Sequence, residues 1–145
     1  MLKKTAGRQS LGRSRGGFST KIHALCDALG NPLRFLLSAG QRSDYLHALN
    51  LLEGVRGSAV LGDKGYDAGY VVSRAEEMGA EVVIPSKANR KEDRHIDTEL
   101  YKERNLVERL FNKMKHFRRI ATRYDKLDTS YLGFVHLVGI LILLK

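Results

Sequence analysis

The sequence has too few cysteines for a cross-linked fold. Cys26 is the only cysteine among 145 residues, so no disulfide can form within the chain. Cysteine and histidine are nowhere clustered with the spacing of a zinc site. This use of cysteine is typical of a reducing compartment, and we expect a cytoplasmic protein.

Long apolar segments are also missing. The N-terminal residues are basic, but no apolar run follows them, which argues against a secretory signal. The uncharged run 129–144 contains His136 and two glycines, and it is shorter than the roughly 20 residues that a membrane-spanning helix needs. We therefore expect a buried helix from about Ser130 to Leu144 and no membrane partner.

Acidic residues are scarce relative to basic ones. The chain has 25 Lys and Arg against 16 Asp and Glu, a formal net charge of +9. Such a charge favours nucleic acid as partner, because neutralising phosphates releases their counterions. A ribosomal or membrane-surface protein would also be basic. Residues 1–17 have no acid and no periodicity, and they predict a basic flexible arm before one globular domain, 18–145.

The order of local patterns predicts an α/β fold. Residues 20–26 and 33–37 read as the strands of a hairpin. A helix follows, capped by Ser43 or Asp44. The next pattern is a strand ending at Asp63.

A parallel pair of strands is predicted after that point. Residues 68–78 form a helix capped by Asp67 and closed by Gly79, and a short strand follows at 81–84. Strand, helix and strand in this order imply parallel pairing with a crossover.

Basic residues recur in a polar loop, 86–94, and in a link, 118–123, before the last helix. The candidate DNA-contacting residues are Lys87, Arg90, Lys91, Arg118, Arg119 and Arg123. Solvated surface charge is the simpler interpretation of these residues. The net charge favours contact with the DNA backbone, without base readout, and hence a nucleoid-associated location.

Two carboxylates occupy positions that suit a metal site. Asp63 ends a strand, and Glu108 lies beside the apolar face of a long helix. At about 100° per residue, Tyr101, Arg104, Glu108 and Lys115 fall within an arc of roughly 60°. Two divalent ions held by carboxylates stabilise charge on the attacking and leaving oxygens of a phosphodiester. The pattern predicts metal-dependent phosphodiester chemistry with Mg²⁺ or Mn²⁺.

Each of these residues also has a simpler interpretation. Asp63, Lys64 and Gly65 fit an ordinary turn. Arg104 and Glu108 fit an ordinary pair on a helix surface. His23 and His47 lie near apolar neighbours, where a hydrogen-bonded structural histidine is favoured over a metal ligand.

Together these motifs resemble a known family. The spacing Tyr-x2-Arg-x3-Glu-x6-Lys in residues 101–115 matches the signature of bacterial insertion-sequence transposases, whose DDE catalytic domain is ribonuclease-H-like. The segments 12–23, 27–33, 63–67 and 118–126 are similar to the insertion-sequence-five branch of that family. The resemblance covers nearly the whole chain from Gly12 onward.

The resemblance implies DNA transposition, by metal-dependent cleavage at the element ends followed by strand transfer. Asp63 would be the second acid of the triad and Glu108 the third, both binding Mg²⁺ or Mn²⁺. Tyr101, Arg104 and Lys115 would position or neutralise DNA phosphates. The partners would be the terminal inverted repeats, target DNA and further transposase subunits.

One part of the family pattern is missing. Family members carry the first acid on a strand that precedes the hairpin, and no such strand is evident here. The fold expected from the resemblance is therefore an α/β, ribonuclease-H-like mixed sheet flanked by helices, lacking its first, central strand. Asp27, Asp44 and Asp67 lie in predicted turns or caps and are poor substitutes for the missing acid.

This absence leaves several functions open. The chain fits the C-terminal part of a longer or frameshifted transposase, inactive alone and joined by an upstream half. It also fits a degraded copy, a catalytically inactive DNA-binding or regulatory fragment, or an unrelated basic nuclease.

Overall fold

The computed structural model describes residues 9–145, apart from the side chain of Ser14. Three antiparallel strands form one sheet in the order β1, β2, β3: Gly12–Ser14, Gly17–Cys26 and Pro32–Ala39. β2 and β3 are the predicted hairpin.

The strand β1 corrects the prediction that no regular structure precedes residue 17. Ser14 lies opposite Gly17, so Arg15 and Gly16 form a tight loop. Gly17 has φ +102°, a conformation that glycine adopts without strain. Residues 1–8 of the predicted arm lie outside the described residues, and the division between arm and domain stays a prediction.

A second sheet is the predicted parallel pair. β4 (Ala59–Leu61) and β5 (Glu81–Val83) are joined by α2 (Gly69–Glu77). The predicted cap of α2 is wrong: Ala68 occupies the cap position. Asp67 does not cap because its carboxylate is bound by two distant arginines.

The expected single mixed sheet is not formed. Within residues 9–145, no ladder joins the hairpin to the parallel pair. Instead a 3₁₀ turn, Asp44–His47, leads into α1 (Ala48–Leu52), which contacts β2, β3 and α2. The described residues supply no strand that joins the two sheets. The ribonuclease-H-like topology stays a prediction.

Four helices complete the described chain: α3 Thr98–Lys102, α4 Asn105–Lys115, α5 Arg118–Ala121 and α6 Asp128–Leu143. The predicted long helix is thus divided between α3 and α4. Across the division the hydrogen bonds connect residues three apart, for example Arg104 N to Tyr101 O. This tighter, 3₁₀-like turn interrupts the α-helix without ending the helical path.

The last helix is buried on one face only. Tyr131, Val135 and Val138 are buried, whereas Leu137 and Ile140 are about half exposed. The prediction of a buried helix therefore holds for one side of α6. No helix in residues 9–145 is long and apolar enough to cross a membrane.

The larger core joins the hairpin to the C-terminal helices. Its buried members are Phe35, Leu110, Met114, Ile120, Tyr131, Val135 and Val138. A smaller cluster, formed by Ala48, Val71 and Ile84, lies between α1, α2 and the end of β5. These two cores hold α4 and β4, the elements that present the two candidate metal ligands.

Candidate active site

Asp63 lies where the sequence predicts it, just beyond the carboxyl end of β4. It caps the 3₁₀ turn Lys64–Tyr66, and its Oδ1 accepts a hydrogen bond from Gly65 N at 2.7 Å. The simpler turn interpretation describes the same geometry. A backbone donor therefore fixes the orientation of this carboxylate.

A second carboxylate, that of Asp44, converges on the same place. A Cβ atom added to Gly65 would lie 2.8 Å from Asp63 Oδ1 and 3.2 Å from Asp44 Oδ2. Burial, followed by the charges of Asp44 and Asp63, raises the pKa of Tyr66. Lys21 Nζ lies 2.9 Å from Asp44 Oδ1. The sequence predicts Ser43 or Asp44 as a helix cap, and no local signal indicates that Asp44 approaches Asp63; Ser43 occupies the cap position, without a side-chain hydrogen bond.

Glu108 lies in the first turn of α4, facing solvent. Its Oε1 accepts a hydrogen bond from Arg104 Nη2 at 2.7 Å, and the two side chains are 55% and 28% exposed. The Arg104 guanidinium also lies 5.5 Å from the centre of the Tyr101 ring. Three of the four signature residues therefore form one contiguous group.

Several neighbouring groups influence the pKa of Arg104. Burial alone would lower the pKa of Arg104, but the hydrogen bond to Glu108 and the interactions with Tyr101, Glu108 and Asp63 raise it. Glu108 binds Arg104 directly, whereas the charge of Asp63 has the smallest of these effects on the pKa of Arg104.

Lys115, the fourth signature residue, is placed apart from the others. It is the last residue of α4, about 10 Å along the helix from Glu108. Its side chain lines an open cavity of about 560 Å³ together with Thr20, Phe111 and Tyr131. The structure does not bring Lys115 into contact with either acid.

The donor set is chemically suited to a hard divalent ion but is incomplete. Within residues 9–145, no group of three or more His, Cys, Asp or Glu side chains could hold a metal. Asp63 and Glu108 offer the oxygen ligands that Mg²⁺ and Mn²⁺ prefer. The space above Gly65, which a side chain would fill, is compatible with an ion beside Asp63.

The candidate DNA-contacting cations differ in their exposure and in the side-chain partners that they already have. Lys87 Nζ lies 4.5 Å from the centre of the Tyr45 ring, and Lys91 is exposed. Arg90 is bound to Asp67 and is 40% exposed. In the link, Arg118 Nε donates to Tyr124 Oη, and the Arg119 guanidinium lies 4.0 Å from the Phe134 ring centre; both arginines are exposed.

Arg123 does not fit the prediction of a DNA contact. Its side chain is only 8% exposed and pairs with Asp128 at 3.0 Å. The guanidinium also donates to Thr20 Oγ1 and to backbone oxygens of Gln9 and Asp125. These bonds tie the N-terminal segment to the start of α6, so Arg123 has a structural position.

Comparison with known proteins identifies the family. Residues 3–143 match the family described as the transposase DDE domain, and the chain therefore belongs to it. A protein named for the transposase of insertion sequence element IS6501, from Brucella ovis, is 40% identical over 129 residues, covering 88% of this chain and 99% of the relative. The corresponding protein of element IS402, from Burkholderia cepacia, is 30% identical over 137 residues, covering 86% of this chain and 62% of the relative. No solved structure matches the chain.

Membership of this family confirms the resemblance seen in the motifs. DDE transposases are enzymes that act on DNA and generally use divalent metal ions, so the chain has a role in DNA transposition. The alternative of an unrelated basic nuclease is wrong. The insertion-sequence-five branch stays a prediction.

Proposed function

We propose that this chain forms part of a transposase that cuts and joins DNA at the ends of an insertion element, with Asp63 and Glu108 as metal ligands. The observation that supports this best is the placement of the two acids: Gly65 N orients Asp63 beyond a strand end, and Arg104 binds Glu108 on a helix. A divalent ion bound by Glu108 would take over part of the neutralising role of Arg104.

Divalent ions bound there would stabilise charge on the attacking and leaving oxygens of the phosphodiester. Asp63 is pre-oriented by Gly65 N, and Glu108 can rotate towards an ion once Arg104 releases it. Tyr101 and Arg104 then remain to position a DNA phosphate. Lys115 would neutralise a more distant phosphate, since it lies two helical turns away.

We further propose that another segment, the upstream transposase half, supplies the first acid. Asp44 approaches Asp63 but is paired with Lys21, and no group of three His, Cys, Asp or Glu within residues 9–145 could hold a metal. The two sheets also lack a joining strand among these residues. A strand inserted between them would complete both the sheet and the acidic triad. The DNA substrates would be the terminal inverted repeats and the target, with a homo-oligomer as the working assembly.

Manganese binding to the purified chain tests the site directly. We expect Asp63→Asn and Glu108→Gln each to weaken Mn²⁺ affinity about tenfold, measured by electron paramagnetic resonance, because each removes one carboxylate ligand. Glu99→Gln is the matched control, since Glu99 forms a similar 2.7 Å pair with Lys102 on α3. Unchanged affinity in both acid variants would refute the proposed ligands.

A second candidate function is a non-catalytic fragment that binds element ends. The incomplete ligand set within residues 9–145 favours it. The two functions separate in a cleavage assay with the upstream polypeptide added: DNA binding without any cutting in Mg²⁺ or Mn²⁺ supports the fragment, and metal-dependent cutting at element ends supports the transposase.

A further inference from the structure

The carboxylate of Asp67 is the most enclosed charged group in the described residues. Its side chain is 0% exposed and pairs with Arg90 Nε at 3.0 Å and Arg94 Nη2 at 3.1 Å. It also accepts hydrogen bonds from Arg90 Nη2 and from Lys87 N. Burial alone would raise the pKa of Asp67, but Arg90, Lys87 N and Arg94 lower it to about 2. The group is therefore ionised and fully paired.

These bonds connect the ends of both parallel strands. Asp67 follows the turn that begins at Asp63, beyond β4. Arg94, beyond β5, donates from Nη1 to Ile84 O at 2.6 Å, and Arg94 N donates to Ser86 Oγ at 2.7 Å. One buried carboxylate thus holds the loop 86–94 against the segment that carries Asp63.

The same bonds orient the cations of that loop. Arg90 uses Nε and Nη2 to bind Asp67, which fixes the plane of the guanidinium. The side chain remains 40% exposed, and Nη1 takes no part in the bonds to Asp67. Lys87 donates its backbone N–H to Asp67, and its ammonium lies over the ring of Tyr45.

We propose that Asp67 is a positioning residue, which holds Arg90 and Lys87 in place to bind a DNA phosphate beside Asp63. The proposal rests on the DNA-binding function proposed above. A purely stabilising role would not require this arrangement, because apolar residues of similar volume stabilise an interior as well as a buried ion pair does. What the ion pair adds is a defined direction for the exposed part of Arg90.

Limited trypsin digestion tests the positioning without DNA. In Asp67→Asn, cleavage in the loop at Lys87, Arg90 or Lys91 should be about tenfold faster, because the arginines lose their charged acceptor. Circular dichroism checks that the fold is retained. The control is Asp93→Asn, which removes an exposed carboxylate from the same loop. Equal loop cleavage in wild type and Asp67→Asn would overturn the proposal.

DNA affinity separates positioning from net charge, because the two predict opposite changes in the affinity of Asp67→Asn for a DNA duplex. Asp67→Asn and Asp93→Asn each leave 15 acids against 25 basic residues, a change from +9 to +10. Charge alone would tighten binding in both variants. We expect Asp67→Asn to bind about fivefold more weakly, because a misplaced guanidinium loses its phosphate contact. Binding as tight as in Asp93→Asn would contradict the proposal.

A second variant covers the case in which Asp67→Asn fails to fold. Arg90→Lys keeps the charge but cannot form the two-bond contact, and it should likewise weaken DNA binding and speed loop cleavage. Arg74→Lys is its control, since Arg74 is 39% exposed in a surface pair on α2. No effect of Arg90→Lys on either readout would overturn the proposal. If wild type binds no DNA, the proposed function fails, while the trypsin result still decides whether Asp67 holds the loop.

Discussion

The two candidate acids come from regions that are stabilised in different ways. The hairpin region, β1–β3 with α4–α6, has an apolar core of seven buried residues. The parallel region, β4 and β5 with α1, α2 and the loop 86–94, has a smaller apolar cluster of three buried residues and the Asp67 ion pairs. Apolar packing tolerates several side-chain orientations, whereas hydrogen-bonded charge pairs fix the orientation of both side chains. Apolar packing is thus more extensive in the first region, and in the second a buried carboxylate also sets the direction of the loop 86–94.

Truncating the larger core should have the largest effect on stability. Leu110 is 1% exposed in α4, and Leu110→Ala should lower the free energy of unfolding by about 3 kcal/mol, from lost burial and the cavity left behind. Urea unfolding measures this loss. Val71→Ala, at 1% exposure in the smaller cluster, should cost about 2 kcal/mol because fewer carbons are removed. The exposed neighbour Arg109→Ala is the control. An equal or larger loss for Val71→Ala would remove the proposed contrast.

The two regions should also respond to acid at different pH values. His23 is buried in β2, and its Nε2 lies 2.7 Å from Ser38 Oγ, which confirms the expected structural histidine. Burial, then the charges of His47 and Lys21, lower the pKa of His23 to about 4, against the opposing charge of Asp44. Its contribution is therefore present above pH 6.5 and is lost as pH falls from 6.5 to 4, by at most about 3 kcal/mol.

Asp67 loses its charge on protonation, whereas His23 gains one, and Asp67 titrates at lower pH. Its pKa falls from 3.8 to about 2 on folding, so its stabilising effect is lost only as pH drops through that lower range. Urea midpoints at pH 7, 5 and 3 distinguish the two ranges. His23→Gln should flatten the upper range and leave the lower one, with exposed His116→Gln as control. A persistent decline between pH 6.5 and 4 in His23→Gln would show that other groups are responsible.

Elements governed by local pattern could be predicted from the sequence. The alternation in β2, the turn at Gly30 and the positive φ of Gly79 depend on near neighbours, and the hairpin and the crossover follow from them. The predicted positions of Asp63 at a strand end and Glu108 on a helix are of the same kind.

Contacts between distant residues could not be predicted in this way. Asp67 has the signature of a helix cap, yet its partners lie 20 to 27 residues further along the chain. Arg123 looks like a surface cation but is buried against residues more than 100 positions earlier. Asp44 approaches Asp63 only through the fold. Charge and helix or strand propensity describe a residue and its sequence neighbours. The contacts of these three residues depend instead on tertiary packing.

The smallest effects on stability are expected at exposed ion pairs, such as that of Glu108, the more exposed of the two candidate metal ligands. Glu108→Gln breaks a pair whose side chains are 55% and 28% exposed, so the free energy of unfolding should fall by less than about 0.5 kcal/mol. Glu99→Gln, with a more exposed pair, should cost no more. If Glu108 is a metal ligand, its variant alone of the two should lose Mn²⁺ affinity. A stability loss above about 1 kcal/mol would mean that Glu108 supports the fold of α4. Glu108 would then resemble the core residues, whose truncation also destabilises the fold.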